Sequence, residues 1–183
     1  MYKRPVIFGI GNPLVDIIYH VNYIDIKNLG LQKGSMQLVS EKRQSEIIEY
    51  FKSNDSQYMP GGSAPNTILA CNGLGAASII SGKIGDDKFG EIYLKQIREY
   101  GGISGLVKGE GTTGTSIILI TPDAERTMNT HLGICRQYSS KDVNAEILAK
   151  SSFLYFTGYM WDTESQKKAI LNAIDIARKN NTK

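Results

Sequence analysis

The chain has 183 residues, 41% of them hydrophobic, and its 21 Lys and Arg against 18 Asp and Glu give a formal net charge of +3. This length and composition predict one soluble globular domain and exclude wholesale disorder. No apolar window approaches the roughly 18 residues of a membrane span, and basic residues cluster only in pairs such as Lys42-Arg43, so neither a membrane protein nor a nucleic-acid-binding surface is indicated.

Two composition features refine this picture. Cys71 and Cys135 are too few for a disulfide framework, and the N-terminus lacks a signal-peptide pattern, so the sequence favours the cytoplasm. Glycine is unusually frequent, with 19 of 183 residues against an average of about 7%. The glycines are clustered, and the clusters lie between the predicted strands and helices.

Strands and helices alternate along most of the chain. Hydrophobic patterning and turn residues predict strands over 5–10, 15–21, 35–39, 77–84, 115–120, 127–131 and 152–159. Capping residues and apolar spacing predict helices over 40–51, 64–74, 86–100, 139–150 and 163–179. The last of these helices begins with Thr163-x-x-Gln166, which is typical of a capping box. Residues 54–62 are predicted to form a loop, with room for a short strand at 57–59.

The alternation predicts an α/β fold with a Rossmann-type parallel sheet flanked by helices. Two β-rich patches, over about 14–39 and 103–131, do not follow the alternation. We expect them to form a small β-sheet lid that is inserted from two places in the chain.

A nicotinamide-binding site is one hypothesis for the first glycine cluster, because Gly9-x-Gly11 follows a predicted strand. The third glycine of the dinucleotide fingerprint is absent, since residue 14 is Leu, and Pro13 interrupts the turn that should begin a helix. The sequence therefore gives this hypothesis little support.

A polyol-binding site is a second hypothesis. Asp16 follows the first turn, and an ionised carboxylate accepts hydrogen bonds from two neighbouring hydroxyls. Gly61-Gly62 leads directly into a predicted helix, so its backbone can approach a ligand closely, and Asn66 adds a donor and an acceptor. Taken alone, each feature also fits an ordinary turn or cap.

Together the clusters resemble a known family. Gly61-Gly62-x-x-x-Asn66 is followed by Gly75 and by Gly82-Lys83-Ile84-Gly85-Asp86-Asp87-x-x-Gly90. This series resembles the first signature of the PfkB carbohydrate kinases, the superfamily of ribokinase and adenosine kinase. Gly9-x-Gly11-Asn12-Pro13-x-x-Asp16 resembles the N-terminal strand and substrate-binding aspartate of its adenosine-kinase-like branch. The resemblance runs along the whole chain.

The resemblance implies a ribokinase-like fold and phosphorylation of a terminal CH₂OH group on a small-molecule sugar or nucleoside, with ATP and Mg²⁺. It also implies roles for particular residues. Those expected to surround the sugar hydroxyls are Asn12, Asp16, Gly61, Gly62 and Asn66. Those expected to contact the rest of the acceptor are Leu14, Met36, Leu38, Met128 and Met160, the last within Tyr159-Met160-Trp161.

Arg126 is implied to reach the transferring phosphate, where a guanidinium stabilises developing negative charge. Without the resemblance, Arg126 would be interpreted as a solvated hairpin residue, and Trp161 equally well as a core residue at the end of a strand. Asp86 and Asp87 are predicted to cap a helix, and the sequence predicts no metal site in this chain.

The family's catalytic base lies in a Gly-Ala-Gly-Asp segment, and an Asn-x-x-Glu segment assists Mg²⁺. Neither segment occurs after Trp161, and the chain ends after a helix, where a βαβ pattern calls for another strand. We therefore expect residues 1–183 to be the N-terminal portion of one kinase domain, inactive by itself. The alternative is a non-catalytic half-kinase that binds a sugar or nucleoside. Its exposed sheet edge or lid would favour a homodimer.

Overall fold

The computed structural model describes residues 6–183, so Pro5, where the first predicted strand begins, lies outside the described residues. Its strands are β1 Ile7–Ile10, β2 Leu14–His20, β3 Met36–Leu38, β4 Gln57–Gly61, β5 Ser78–Gly85, β6 Ile103–Gly109, β7 Gly114–Ile120, β8 Arg126–His131 and β9 Phe153–Phe156. Its α-helices are α1 Tyr23–Asn28, α2 Glu41–Tyr50, α3 Ser63–Gly73, α4 Lys88–Glu99, α5 Ala145–Ala149 and α6 Glu164–Lys179. Short 3₁₀ helices cover Gly133–Gln137, Ser140–Asp142 and Gly158–Trp161. No helix within the described residues has the length and apolar character that crossing a membrane requires.

The central sheet has the strand order β6-β5-β1-β9, and every neighbouring pair is parallel. Phe8 and Ile10 on one face of β1 pack with α6 residues such as Ile170. Ile80 and Ile84 of β5 pack on the other face with residues of α3 and α4. Because both faces are covered by helices, the arrangement confirms the predicted α/β fold.

The second sheet, called the lid sheet below, has the strand order β3-β8-β7-β2-β4. Along β2, Val15 and Ile17 are buried on the face that packs on the core shared with α3 and α4. Leu14 and Asp16 alternate with them, so they lie on the opposite, open face. The two sheets are therefore joined by one apolar core, and the open face of the lid sheet is left to form a site.

The strands of the lid sheet differ from those predicted. Residues 103–109 were assigned to the lid, but β6 pairs in parallel with β5, with Ile79 opposite Ile103. The prediction is wrong because β6 follows α4, and a right-handed crossover returns the chain to the edge of the parallel sheet. The segment 57–61, predicted mainly as a loop, forms β4 and pairs antiparallel with β2.

Three local predictions also require correction. The predicted helix over 139–150 is divided, because Asn144 caps a new helix by accepting a hydrogen bond from the Ile147 N–H at 3.0 Å. The helix α1 was not predicted, although Asn22 and Asp25 form a capping box at its start. The last predicted strand ends at Phe156 rather than Tyr159, because the chain turns into a 3₁₀ helix.

Asp87 joins the start of α4 to the connection between β6 and β7. Its carboxylate accepts hydrogen bonds from the Gly90 N–H at 2.8 Å and from the Thr113 N–H at 2.7 Å and hydroxyl at 2.6 Å. Burial raises the pKa of Asp87, but the hydrogen bonds from Thr113 and from backbone N–H groups outweigh burial, and the net pKa is lowered. This confirms the predicted helix cap. The same carboxylate also holds Thr113, the residue that precedes β7 at the base of the lid sheet.

We predict that Asp87→Ala lowers the free energy of unfolding by about 2 kcal/mol, because a helix cap and two bonds to Thr113 are lost together. Urea unfolding measures the change. Since the pKa of Asp87 is lowered in the fold, the stabilisation should be lost from the wild type as the pH falls below the ordinary aspartate value. Asp86→Ala is the matched control, because exposed Asp86 forms a surface ion pair with Lys108. If the two variants lost the same free energy of unfolding, the role of Asp87 as the helix cap would be contradicted.

Candidate functional site

Gly61 and Gly62 lie where β4 ends and α3 begins, and both are in close contact with the first turn and strand of the chain. A Cβ atom at Gly62 would meet the backbone oxygen of Asn12, and one at Gly61 would meet the carboxylate of Asp16, each closer than the 3.0 Å that real Cβ atoms keep. Gly62 also has a φ of +97°, which favours glycine. The structure therefore brings together Asn12, Asp16, Gly61 and Gly62, which the family resemblance implied would surround the sugar hydroxyls; that role stays a prediction.

Asp16 carries the main electrostatic perturbation at this junction. Burial of its carboxyl raises the pKa from 3.8 to about 6, and the charge of Arg126 opposes part of this rise. The hydroxyl of Tyr93, beneath the site, donates to the Gly61 carbonyl at 2.9 Å. Near neutral pH, Asp16 is therefore a largely ionised carboxylate with little solvation, suited to accept hydrogen bonds from ligand hydroxyls.

A cavity of about 430 Å³ lies between the open face of the lid sheet, the start of α3 and the segment after β9. Its lining residues are Asn12, Leu14, Met36, Leu38, Gly62, Ser63, Ala64, Thr130, Leu132, Thr157, Gly158, Tyr159, Trp161 and Asp162. Apolar side chains dominate this wall, and two aromatic rings lie on one side. Such a wall suits a flat, weakly polar group of a ligand.

Several predicted residues take part in this cavity, and others were missed. Leu14, Met36 and Leu38, which were predicted to contact the acceptor, line it. Thr130 and Leu132 were missed, although Thr130 lies two residues beyond Met128 on β8 and so shares its face. Alternate side chains share one face of a strand, so continuing from Met128 by steps of two residues, to Thr130 and then to Leu132 just beyond β8, would have identified both.

Met160 was predicted to contact the ligand, and this is wrong. Its side chain is fully buried in the core beside α6, together with Phe8 and Ile10. The 3₁₀ turn directs Met160 inward and leaves its neighbours Tyr159 and Trp161 in the cavity wall. Trp161 accordingly does not pack in the core, because it is exposed.

Asp16 and Gly61 are not in the cavity wall, although they lie at the same junction as Asn12 and Gly62, which are. Two further candidates, Met128 and Asn66, also lie outside the wall. Met128 is opposite Met36 in the lid sheet and half-buried on the same face. Asn66 lies in the second turn of α3 with an exposed side chain. Their contacts with a ligand stay predictions.

Arg126 begins β8 and is exposed. In the ladder it lies opposite Ile120, and Thr130 of the same strand lies opposite Ser116, which pairs with Asp16. Because alternate residues of a strand share one face, Arg126 and Asp16 are both on the open face of the lid sheet. This position fits a contact with an anionic group at the outer end of the site.

The nicotinamide hypothesis fails on local structure. After β1 the chain passes through Gly11-Asn12-Pro13 directly into β2. A dinucleotide fingerprint needs a helix N-terminus at that point to receive the pyrophosphate, and a strand offers none.

Comparison with known proteins identifies the family to which the chain belongs. The sequence profile of the pfkB family carbohydrate kinases matches residues 37–183. The chain belongs to this family. The adenosine kinase of Dictyostelium discoideum is 28% identical over 158 residues, which cover 81% of this chain and 46% of that protein. The chain thus spans about half the length of the curated relatives it matches.

Solved structures of pfkB family members have the same fold. The adenosine kinase of Sinorhizobium meliloti is 34% identical with a TM-score of 0.85, over 99% of this chain and 55% of that one. A probable sugar kinase from Rhizobium etli CFN 42 is 31% identical with a TM-score of 0.87, over 100% of this chain and 55% of that one. These neighbours confirm the ribokinase-like fold and the adenosine-kinase-like branch.

We predict that Asp16→Asn stabilises this pfkB domain increasingly as the pH rises. The folded-state pKa of about 6 lies above the ordinary aspartate pKa of 3.8, so the native state binds more protons and loses stability as the carboxyl ionises. The neutral amide avoids this loss. Its stabilising effect should grow by about 1 kcal/mol between about pH 5 and about pH 8. Urea unfolding at both values measures it, with Asp175→Asn on the exposed side of α6 as control. A constant effect across this range would contradict the raised pKa.

Proposed function

We propose that this chain forms the acceptor-binding side of a kinase that transfers a phosphoryl group from ATP to a terminal hydroxymethyl group of a sugar or nucleoside. The observation that carries the proposal is the convergence of Asp16, Asn12 and the Gly61-Gly62 backbone at one junction, from which Asn12 and Gly62 line the cavity. A carboxylate with reduced solvation, an amide and a close backbone are the groups that bind vicinal hydroxyls.

A nucleoside is the acceptor that the cavity favours. Leu14, Met36, Leu38 and Leu132 supply apolar surface, and Trp161 adds an aromatic ring. A planar base gains from such surroundings, whereas a free sugar would leave much of the apolar wall without a partner. Relatives named as adenosine kinases support adenosine as the first probe. A relative named as a fructokinase, from Zea mays, makes fructose the natural comparison.

The phosphate side of the reaction is assigned to Arg126, whose guanidinium would contact the transferring phosphoryl group from the open face of the lid sheet. ATP would supply that group, and Mg²⁺ would balance its charge. Within residues 6–183, no three His, Cys, Asp or Glu side chains converge on a possible metal position. The described residues therefore do not themselves fit a metal ion.

We further propose that residues 1–183 belong to one kinase domain and that the chain by itself transfers no phosphate, because its sequence contains no Gly-Ala-Gly-Asp segment. Binding and transfer are then separable, and the lone chain would act as a nucleoside-binding protein.

The test is to titrate the purified protein with adenosine and with fructose in a thermal-shift assay, and then to add ATP and Mg²⁺. Adenosine should raise the melting temperature, fructose should do so less, and no phosphorylated product should form. Asp16→Ala should remove the adenosine-induced shift, because the carboxylate that accepts from the sugar hydroxyls is absent.

The matched control is Asp175→Ala, which removes an exposed carboxylate on α6 far from β2 in the chain. It should leave the adenosine-induced shift unchanged. An unaltered shift in Asp16→Ala would refute the assigned site, and phosphorylated adenosine formed by the chain alone would refute its inactivity.

Self-association is a further part of the proposal. The open face of the lid sheet exposes Met36, Leu38 and Met59, an apolar group that a second copy would cover. The edge of β9 is less accessible, because Leu154 N–H donates to the Lys183 oxygen at 2.8 Å and Lys183 N–H to Ser152 at 3.0 Å. We expect a dimer in sedimentation velocity that Met36→Lys with Leu38→Lys dissociates. A wild-type monomer at every concentration would contradict it.

A further inference from the structure

Gln166 makes hydrogen bonds that its sequence pattern did not predict. The predicted capping box is only half formed, since the Thr163 hydroxyl accepts from the Gln166 N–H at 3.2 Å but the Gln166 side chain does not return to Thr163. Instead that side chain is fully buried, and its Nε2 donates to Asn12 Oδ1 at 2.7 Å and to the Cys135 carbonyl oxygen at 2.9 Å. A residue in the first turn of α6 is thereby connected to a cavity residue 154 positions away.

The Cys135 carbonyl fixes which end of the Gln166 amide faces Asn12. A carbonyl oxygen can only accept a hydrogen bond, so Gln166 must present its Nε2 rather than its Oε1 to Cys135. The same Nε2 carries two hydrogens, and it donates the second one to Asn12 Oδ1. A rotated amide would place its oxygen against the carbonyl of Cys135, an uncompensated repulsion in a buried site. In this arrangement the Gln166 Oε1 is buried without a hydrogen-bond partner.

The orientation of Asn12 follows from that of Gln166. Because Asn12 Oδ1 accepts from Gln166, its Nδ2 is the end of the amide that remains for a ligand. Asn12 lines the cavity with 9% of its surface exposed. Its backbone is also held, because its carbonyl oxygen lies against Gly62. The side-chain amide of Asn12 therefore cannot easily rotate to exchange its two ends, and its backbone carbonyl cannot easily turn away from Gly62.

We propose that Gln166 is a positioning residue that makes Asn12 a hydrogen-bond donor toward the acceptor substrate. This rests on the proposed function, in which Asn12 and Asp16 surround the substrate hydroxyls. The ligand must then present an oxygen or nitrogen lone pair to Asn12. A hydroxyl meets this condition and still has its own proton to donate to Asp16, so a diol is recognised by an amide donor and a carboxylate acceptor together.

The binding test compares adenosine dissociation constants by calorimetry. Gln166→Met removes both donors at similar volume, and Asn12 is then free to rotate, so the dissociation constant for adenosine should rise about ten-fold. Gln166→Glu should weaken binding at least as much, because its carboxylate attracts the Asn12 Nδ2 away from the cavity.

The matched control is Gln44→Met. Gln44 is also a buried glutamine whose Nε2 donates to two acceptors, the oxygen and the hydroxyl of Thr115, on the far side of the lid sheet from the cavity. It should change the dissociation constant less than two-fold. If Gln166→Met binds adenosine as the wild type does, the proposal is overturned.

A double-mutant cycle separates positioning from general destabilisation. In an Asn12→Ala background, Gln166→Met should change adenosine binding by less than two-fold, since no Asn12 amide remains to be oriented. A full ten-fold loss in that background would show that Gln166 acts through the fold and not through Asn12.

A ligand-free measurement keeps the inference testable if the variants fail to fold or adenosine does not bind. Long-range HNCO spectra of the wild type should show couplings across hydrogen bonds from Gln166 Nε2 to the Asn12 side-chain carbonyl and the Cys135 carbonyl. The bond from Gln44 Nε2 to the Thr115 carbonyl at 3.1 Å is the internal reference. A coupling from Asn12 Nδ2 to Gln166, or loss of the Gln166 couplings while the reference is visible, would overturn it. Absence of wild-type adenosine binding would instead count against the proposed function.

Discussion

The close approach of backbone at Gly61-Gly62 is the constraint on which the site depends. There the last residue of β4 meets the Asp16 carboxylate, and the N-cap of α3 meets the Asn12 carbonyl. A side chain at either glycine would push this end of β4 and α3 away from β2 and from the turn between β1 and β2. The positive φ at Gly62 allows β4 to pass directly into α3. Two glycines thus bring the Asn12 carbonyl and the Asp16 carboxylate to one junction at the edge of the cavity.

Burial at this junction gives Asp16 opposing effects on stability and binding. The same loss of solvation that raises its pKa to about 6 also strengthens the hydrogen bonds that the carboxylate can accept from ligand hydroxyls. A group that destabilises the folded state in this way is more easily explained by binding than by folding. The apolar core beneath the lid sheet, which is shared with α3 and α4, supplies the stability that offsets it.

How far the site was predictable depends on how local each feature is. The glycine junction could be predicted because a tight turn and a close approach restrict residue type at single positions. The role of Asp16 was implied only by the family resemblance, because an aspartate after a turn also fits an ordinary cap. Met160 and β6 were assigned wrongly because both depend on the course of the chain after a helix or strand ends. In the sequence, Gln166 fits only a helix-capping pattern. Its hydrogen bond to Asn12 could not be predicted, because the two residues are 154 positions apart and no local sequence pattern includes both.

The sequence by itself determined the alternation of strands and helices, the glycine junction and the resemblance to a kinase family, because these follow from hydrophobic period, backbone freedom and short spacings. Only the tertiary structure decided which strands form the lid sheet, which side of the turn after β9 faces the cavity, and which end of the Asn12 amide Gln166 holds. The physical reason is that burial and hydrogen-bond partners are set by residues far apart in the chain, and they exist only once the two sheets share a core.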